Sequence, residues 1–195
     1  SSGFFQNPTP GAPNDQTAVA GFVDDTSFSM DRGFYDAPFS VDVSSATPGA
    51  SIIYTTDGTL PTETPLNGTR VNAPAPETVP TATVNVTSTT NLRALGVKSG
   101  FEPTNVDTHS YLFRSAILQQ SSAAVPAHVN WGHAGPDYQM DPDIVNHANP
   151  EVRPTSDDFL RVPTVSLTMD WNQMFGSGGI YISGEGVDRP TSIEY

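Results

Sequence analysis

From residue 39 to residue 113, apolar and polar positions alternate in short runs separated by turn residues. Phe39, Val41 and Val43 fall on one side of an extended segment, with Ser40, Asp42 and Ser44 on the other. That is the period of a half-buried strand. Thr47-Pro48-Gly49-Ala50 follows, with proline second and glycine third, the order a type II turn requires. β character resumes at residues 51–56 through Ile52, Ile53 and Tyr54, and Asp57-Gly58 closes the run with a pair suited to positive φ. Residues 60–80 hold five prolines. This predicts a long loop with one edge strand at 69–72, since proline donates nothing to a ladder. Residues 83–87, 91–98 and 106–113 complete six or seven short strands without a helical period. The expected fold is an immunoglobulin-like β-sandwich.

The texture changes after Arg114. Ile117-Leu118 suggests a short strand. Asp141-Pro142-Asp143 has an N-cap residue, a proline at the first helical position and an acid in the first turn, so a helix is expected there. Thr155 and Asp158 form a capping-box pattern ahead of Phe159-Leu160. Val165, Leu167 and Met169 alternate with Thr164, Ser166 and Thr168, predicting a strand whose aliphatic face is buried. Asp170 is placed to cap a helical turn through Phe175, and Gly176-Ser177-Gly178-Gly179 ends it. Residues 180–182 and 191–195 are expected to be strands. The chain is therefore mainly β. Residues 1–25 are a turn-rich end of a preceding domain plus a linker, to which Phe4 and Phe5 offer an anchor. Residues 26–114 are the sandwich, and 115–195 a partial α+β segment.

Composition narrows what such a chain does. Net charge is −13, with a single lysine, Lys98, beside seven arginines. That surface repels nucleic acid and anionic lipid, which excludes both as expected partners. Cysteine is absent, so no disulfide framework or thiolate metal site exists. No run approaches the roughly 20 apolar residues of a membrane helix. The chain lacks an initiator Met and a signal peptide and ends on a strand-like run, as a piece of a longer polypeptide would.

Candidate chemistry is sparse. Nothing in the spacing of the 21 carboxylates selects a glycosidase pair, and no catalytic residue is assigned. Asp137, Asp141 and Asp143 lie close together near Asn146 and His147. Hard oxygen ligands of this kind suit a calcium ion, while helix capping explains Asp141 and Asp143 without one. Asp57 carries the same two readings, cation ligand or turn residue. His128, His133 and His147 lack the regular spacing of a zinc motif. Trp131 and Tyr138, with Tyr54 and Tyr35, are the candidates for stacking on a sugar ring, because aromatic faces suit apolar sugar surfaces. The competing role is anchoring the chain to its own core. The glycine run at 176–179 lacks the Lys and Ser/Thr of a phosphate loop. Asn67 and Asn85 head Asn-x-Thr sequons, which matter only in a eukaryotic secretory setting.

Arg32-Gly-Phe-Tyr-Asp-Ala-Pro-Phe39, the turn at 47–50, YTTDG at 54–58, LRALG at 92–96 and the closing THSYLF at 108–113 together resemble the chitobiase/β-hexosaminidase C-terminal-type domain, also called the fibronectin type III-associated domain. The resemblance covers about 88 residues. It implies a non-catalytic accessory sandwich of exported bacterial proteins. NPTPGAPN at 7–14 is similar to the end of a lamin-tail-type domain. Residues 131–150, 162–183 and 188–195 are similar to the lead-in of a CotH-type kinase domain, whose catalytic body would lie past Tyr195. The expectation is a non-catalytic structural segment of a large secreted or cell-surface bacterial protein, with no cofactor. Its partners would be other domains of the same polypeptide, a second copy, or a polysaccharide. A carbohydrate-binding module and the N-terminal part of a CotH-like atypical kinase are the alternatives.

Overall fold

The computed structural model describes residues 4, 11, 18–121, 138–183 and 186–195. Strands β1 (Thr26–Phe28), β3 (Phe39–Ser45) and β6 (Thr81–Val86) form one antiparallel sheet in the order β1-β3-β6. Strands β2 (Gly33–Tyr35), β4 (Ser51–Thr55), β5 (Thr69–Asn72), β7 (Thr90–Val97) and β8 (Asp107–Phe113) form the second, in the order β2-β8-β7-β4-β5. This is the two-sheet arrangement of an immunoglobulin-like sandwich. β1 and β2 are too short to show alternation, and the sequence pattern does not predict them. β1 runs antiparallel to β3, whereas β2 has crossed to the other sheet and runs parallel to β8. The first stretch of the domain thereby stitches both sheets at one side.

The alternation read from the sequence is the core. Val41 and Val43 from β3, Ala82, Val84 and Val86 from β6, Ile52 from β4, Leu92 and Ala94 from β7, and Tyr111 and Phe113 from β8 pack into one cluster. Each large aliphatic side chain withdrawn from water contributes about 1.5–3 kcal/mol, so this cluster is the main source of stability. Tyr111 is fully buried and donates its hydroxyl to the Met30 carbonyl at 3.0 Å, so the phenol brings no unsatisfied polar atom into the core. Phe39 meets the Tyr111 ring edge-on at 5.3 Å. β5 is the expected edge strand, paired to β4 alone.

Turns behave less uniformly than the sequence suggests. Ala50 N–H bonds the Thr47 carbonyl at 3.3 Å, and Gly49 sits at φ +69°, as a type II turn demands. Asp57-Gly58 does not close a hairpin. Of the pair only Gly58 takes the expected positive φ, at +79°; Asp57 does not, and its Oδ1 accepts from Thr59 N at 3.0 Å and Thr59 Oγ1 at 2.6 Å. Gly58 N–H bonds the Asn91 carbonyl at 3.1 Å. The turn docks on β7.

Residues 18–25 are tied to the sandwich. Val23 is buried, and its N–H bonds Glu102 O at 2.9 Å. Phe4 pairs with Val19 and packs its ring on Phe22 at 5.2 Å, while Phe5 and most of the 7–14 stretch lie outside the described residues.

Past the sandwich come α1 (Arg114–Leu118), α2 (Pro142–Val145), a 3-10 helix at Ser156–Leu160, β9 (Ser166–Thr168), α3 (Trp171–Phe175), α4 (Ile180–Ser183) and β10 (Ser192–Glu194). Two expected strands are helices. At Ile117-Leu118 the backbone coils as α1, with Gln119 N–H bonding Ala116 O. At 180–182 the turn after Gly179 continues into α4, where Ser183 N–H bonds Gly179 O at 2.9 Å and the Tyr181 ring stacks on Phe175 at 5.0 Å. Runs of two or three apolar residues carry no period, so contacts decide their state. β9 and β10 pair antiparallel, but with the face reversed. Thr168 and Glu194 are buried, while Leu167 and Ile193, paired across the ladder, are exposed.

A β-carbon on Gly49 would lie 2.7 Å from the Pro76 carbonyl oxygen, on a backbone already at positive φ. Gly49→Ala is therefore expected to lower the unfolding free energy by about 1–3 kcal/mol, read as a reduced urea midpoint at unchanged m-value.

Candidate functional site

Charged side chains that leave water show where a fold spends its electrostatic effort. Among the described residues, Arg93, Arg114 and Glu194 are the buried charged ones, and all three lie where the sandwich meets the segment that follows it. β8 explains why. Its alternate residues Tyr111 and Phe113 fill the core, so Thr108, Ser110 and Leu112 face outward. Ser110 and Thr108 are nonetheless buried, because β9 and β10 cover them. Ser110 donates its backbone N–H to Glu194 Oε1 at 3.1 Å and its hydroxyl to Oε2 at 2.5 Å. Ser110 Oγ also lies 2.8 Å from Ser166 Oγ, and Thr108 Oγ1 donates to Ser192 Oγ at 2.9 Å. Polar groups on the strand face are thus matched by polar groups on β9 and β10, which turns the aliphatic residues of those strands outward.

Arg114 closes the far end of this surface. Its guanidinium forks onto both carboxylate oxygens of Asp36, just past β2, and its Nη1 reaches Asp157 Oδ1 at 2.8 Å and Ser156 O at 3.3 Å. One arginine therefore ties the sandwich to the 3-10 helix. Hydrogen bonds to charged groups are the stronger ones. The same helix is capped by Asp158, whose carboxylate accepts from Thr155 N at 2.7 Å and Oγ1 at 2.9 Å, as the sequence pattern predicts. Those bonds hold Asp158 below the usual carboxylate range. Arg93 is covered on the same outer face. Its Nη1 donates to Gly58 O at 3.2 Å, and burial lowers its basicity while Asp170 partly restores it.

Between these contacts lies a cavity of about 290 Å³. Phe34, Leu112, Phe159, Leu160 and Val162 form its apolar wall, and Ser110, Ser166, Arg32 and Glu194 its polar end. The Arg32 Nε stands 4.0 Å from Glu194 Oε1, beyond hydrogen-bond distance, with the arginine half exposed and the glutamate side chain 5% exposed.

The residues singled out from the sequence lie elsewhere. Tyr35 and Tyr54 pack at the margin of the sandwich core. The Tyr35 ring stacks on Phe39 at 4.1 Å, and its hydroxyl donates to Asp31 O at 2.5 Å. Tyr138 is exposed, and its carbonyl accepts from Gln120 Nε2. Asp141 caps α2, accepting from Asp143 N at 2.9 Å, with Asp143 in the first turn. Among the described residues no three His, Asp or Glu side chains converge to hold a metal ion. Trp131, His128, His133 and Asp137 lie outside the described residues. The sequence offered no signal for Arg32, Ser110, Arg114 or Glu194. Ser110 and Glu194 are 84 positions apart, and in Thr191-Ser-Ile-Glu-Tyr195 the ordinary expectation buries the aliphatic residue.

The two sheets and their core define the sandwich class: an immunoglobulin-like domain carrying a docked α+β segment. Residues 30–108 match the family model of the chitobiase/beta-hexosaminidase C-terminal domain. That span contains β2 to β7 and ends within β8. No curated protein and no solved structure compared with the chain matches it.

The His109 ring lies flat on Phe28, 4.0 Å between centroids. Burial holds its pKa below the ordinary 6.5, against the Met30 carbonyl, Glu194 and Asp107, which raise it, and with Arg32, which lowers it further. A lowered folded pKa means the unfolded chain takes up the proton first. The stability that neutral His109 contributes is complete above 6.5 and is lost as pH falls through its folded value. Asp107 works in the opposite sense, since burial raises its folded pKa and acid favours the fold in that lower window. The melting temperature should therefore drop between about pH 7.5 and 5.5. In His109→Phe, which keeps the stacked ring, that drop should shrink; an unchanged drop would assign it to other groups.

Proposed function

We propose that the chain is a non-catalytic accessory segment whose sandwich holds the following segment in fixed orientation within a larger exported bacterial protein. The observation that supports this is the use of the buried charges. Glu194 bonds Ser110 of β8, and Arg114 joins Asp36 beside the sandwich to Asp157 of the following segment, so both buried charges are spent on that junction. A shared polar and apolar surface lets two modules of one polypeptide move as a unit, where a bare linker would let them swing. Export and the module order rest on the sequence likeness of the flanks to lamin-tail-type and CotH-type regions. The CotH-like reading, in which the chain leads into an atypical kinase, needs the residues past Tyr195 to supply nucleotide binding.

A carbohydrate-binding role is the second reading. The name of the matched family, a C-terminal domain of chitobiase and β-hexosaminidase, favours it. Exposed Tyr138 and half-buried Tyr54 and Tyr35 are its described candidates, and Trp131, the fourth, lies outside the described residues.

Limited proteolysis discriminates. In Arg114→Met, which keeps the stem and removes the fork onto Asp36 and Asp157, cleavage within 138–195 should accelerate by about tenfold or more while 26–113 stays resistant. Equal resistance in both proteins would show that the Arg114 fork does not restrain the segment. Binding of the unaltered chain to a panel of polysaccharides, abolished by Trp131→Ala or Tyr138→Ala, would instead establish the second reading.

A further inference from the structure

The cavity beside β8 has the parts of a ligand site. Its wall is apolar, built from Phe34 on β2, Leu112 on β8, Phe159 and Leu160 on the 3-10 helix, and Val162. Its polar end holds one carboxylate and one guanidinium. At about 290 Å³ it is at the lower end of small-molecule pockets, roomy enough for a side chain the size of leucine or phenylalanine.

The charges at that end are incompletely matched. A carboxylate offers about four acceptor positions, and Ser110 fills two of those on Glu194. Arg32 is held 4.0 Å away, so it neutralises the buried carboxylate through space and leaves its donor fork free for another acceptor. A buried carboxylate with spare acceptor capacity and a distant counter-charge gains from a cationic N–H donor beside it. A free guanidinium fork at the rim favours a planar carboxylate. A molecule that carries an ammonium and a carboxylate on one carbon, with an apolar substituent, satisfies all three features. Its ammonium would donate to Glu194, its carboxylate would meet Arg32, and its side chain would lie along Phe34, Leu112 and Phe159. A neutral sugar fits less well, because it offers no charge to either group.

We propose that this cavity binds a free apolar α-amino acid. The site uses no residue that the sequence reading singled out, and it stands independently of the accessory role. It shares Glu194 with the docking contacts, so both measurements are made on the intact chain.

The test is calorimetric titration of the intact chain with L-phenylalanine and L-leucine. Parallel arms use phenylalanine amide, N-acetylphenylalanine and N-acetylglucosamine. The amino acids should bind, and blocking either charged end should weaken affinity by about tenfold or more. Arg32→Met should abolish the preference for a free carboxylate, with circular dichroism checking that the fold persists without the counter-charge of Glu194. Glu194→Gln should abolish the preference for a free amine, with circular dichroism checking that the fold persists. If that variant unfolds, Leu112→Trp fills the cavity from the apolar side, and it should remove binding while Ser110 still holds Glu194. No heat from either amino acid at about 10 mM would overturn the proposal. So would equal binding of the blocked analogues, or binding of the sugar alone.

Discussion

The carboxylate of Glu194 accepts two hydrogen bonds from Ser110, 84 residues earlier in the chain. This contact depends on β8 being buried on both faces. A strand whose alternate residues fill a core ordinarily shows its other face to water. Here Tyr111 and Phe113 face the core while Thr108 and Ser110, equally buried, face β9 and β10. A carboxylate withdrawn from water without partners would cost several kcal/mol. The backbone N–H and hydroxyl of Ser110 supply them, with Arg32 nearby. Once Glu194 points inward, the register of β10 is set, and β9 follows through its pairing. The cavity, the exposed Leu167 and Ile193, and the cover over Arg93 then follow from that one orientation.

Arg114 extends the same logic to the end of the strand. It follows β8 directly, so its position is fixed by the core, and its planar fork reaches Asp36 on one side and Asp157 on the other. The sandwich thus presents a prepared surface: serine and threonine hydroxyls in the middle, an arginine at one end, a covered arginine at the other. A polar surface of this kind specifies one docking geometry, because each misplaced contact leaves a buried group unpaired. An accessory module that must hold a neighbour at a fixed angle benefits from that property more than from a larger, less directional apolar contact.

Alternation was legible where a strand is long enough to show it. Phe39, Val41 and Val43 announce β3, and the type II turn at 47–50 follows from its proline and glycine. Helix caps at Asp141, Thr155 and Asp170 were equally readable, because a cap is a local bond between near neighbours. Legibility failed in three physical circumstances. β1 and β2 have three residues each, too few for a period. Ile117-Leu118 and residues 180–182 have no period either; helical hydrogen bonds decided both, with the Tyr181 ring stacked on Phe175 in the second. In β9 and β10 the period was present, but the usual sign was wrong, since the buried face is the polar one.

The sequence by itself therefore determined the sandwich class, its strands from β3 to β8, the type II turn at 47–50 and the local caps. All of these rest on residues within a few positions of each other or on a simple inside–outside alternation. Only the tertiary structure decided which face of β9 and β10 is buried, where Asp57-Gly58 docks, and that Arg32, Ser110 and Glu194 share one cavity. Those outcomes depend on pairing polar groups separated by tens of residues, and no local pattern encodes the partner of a buried charge.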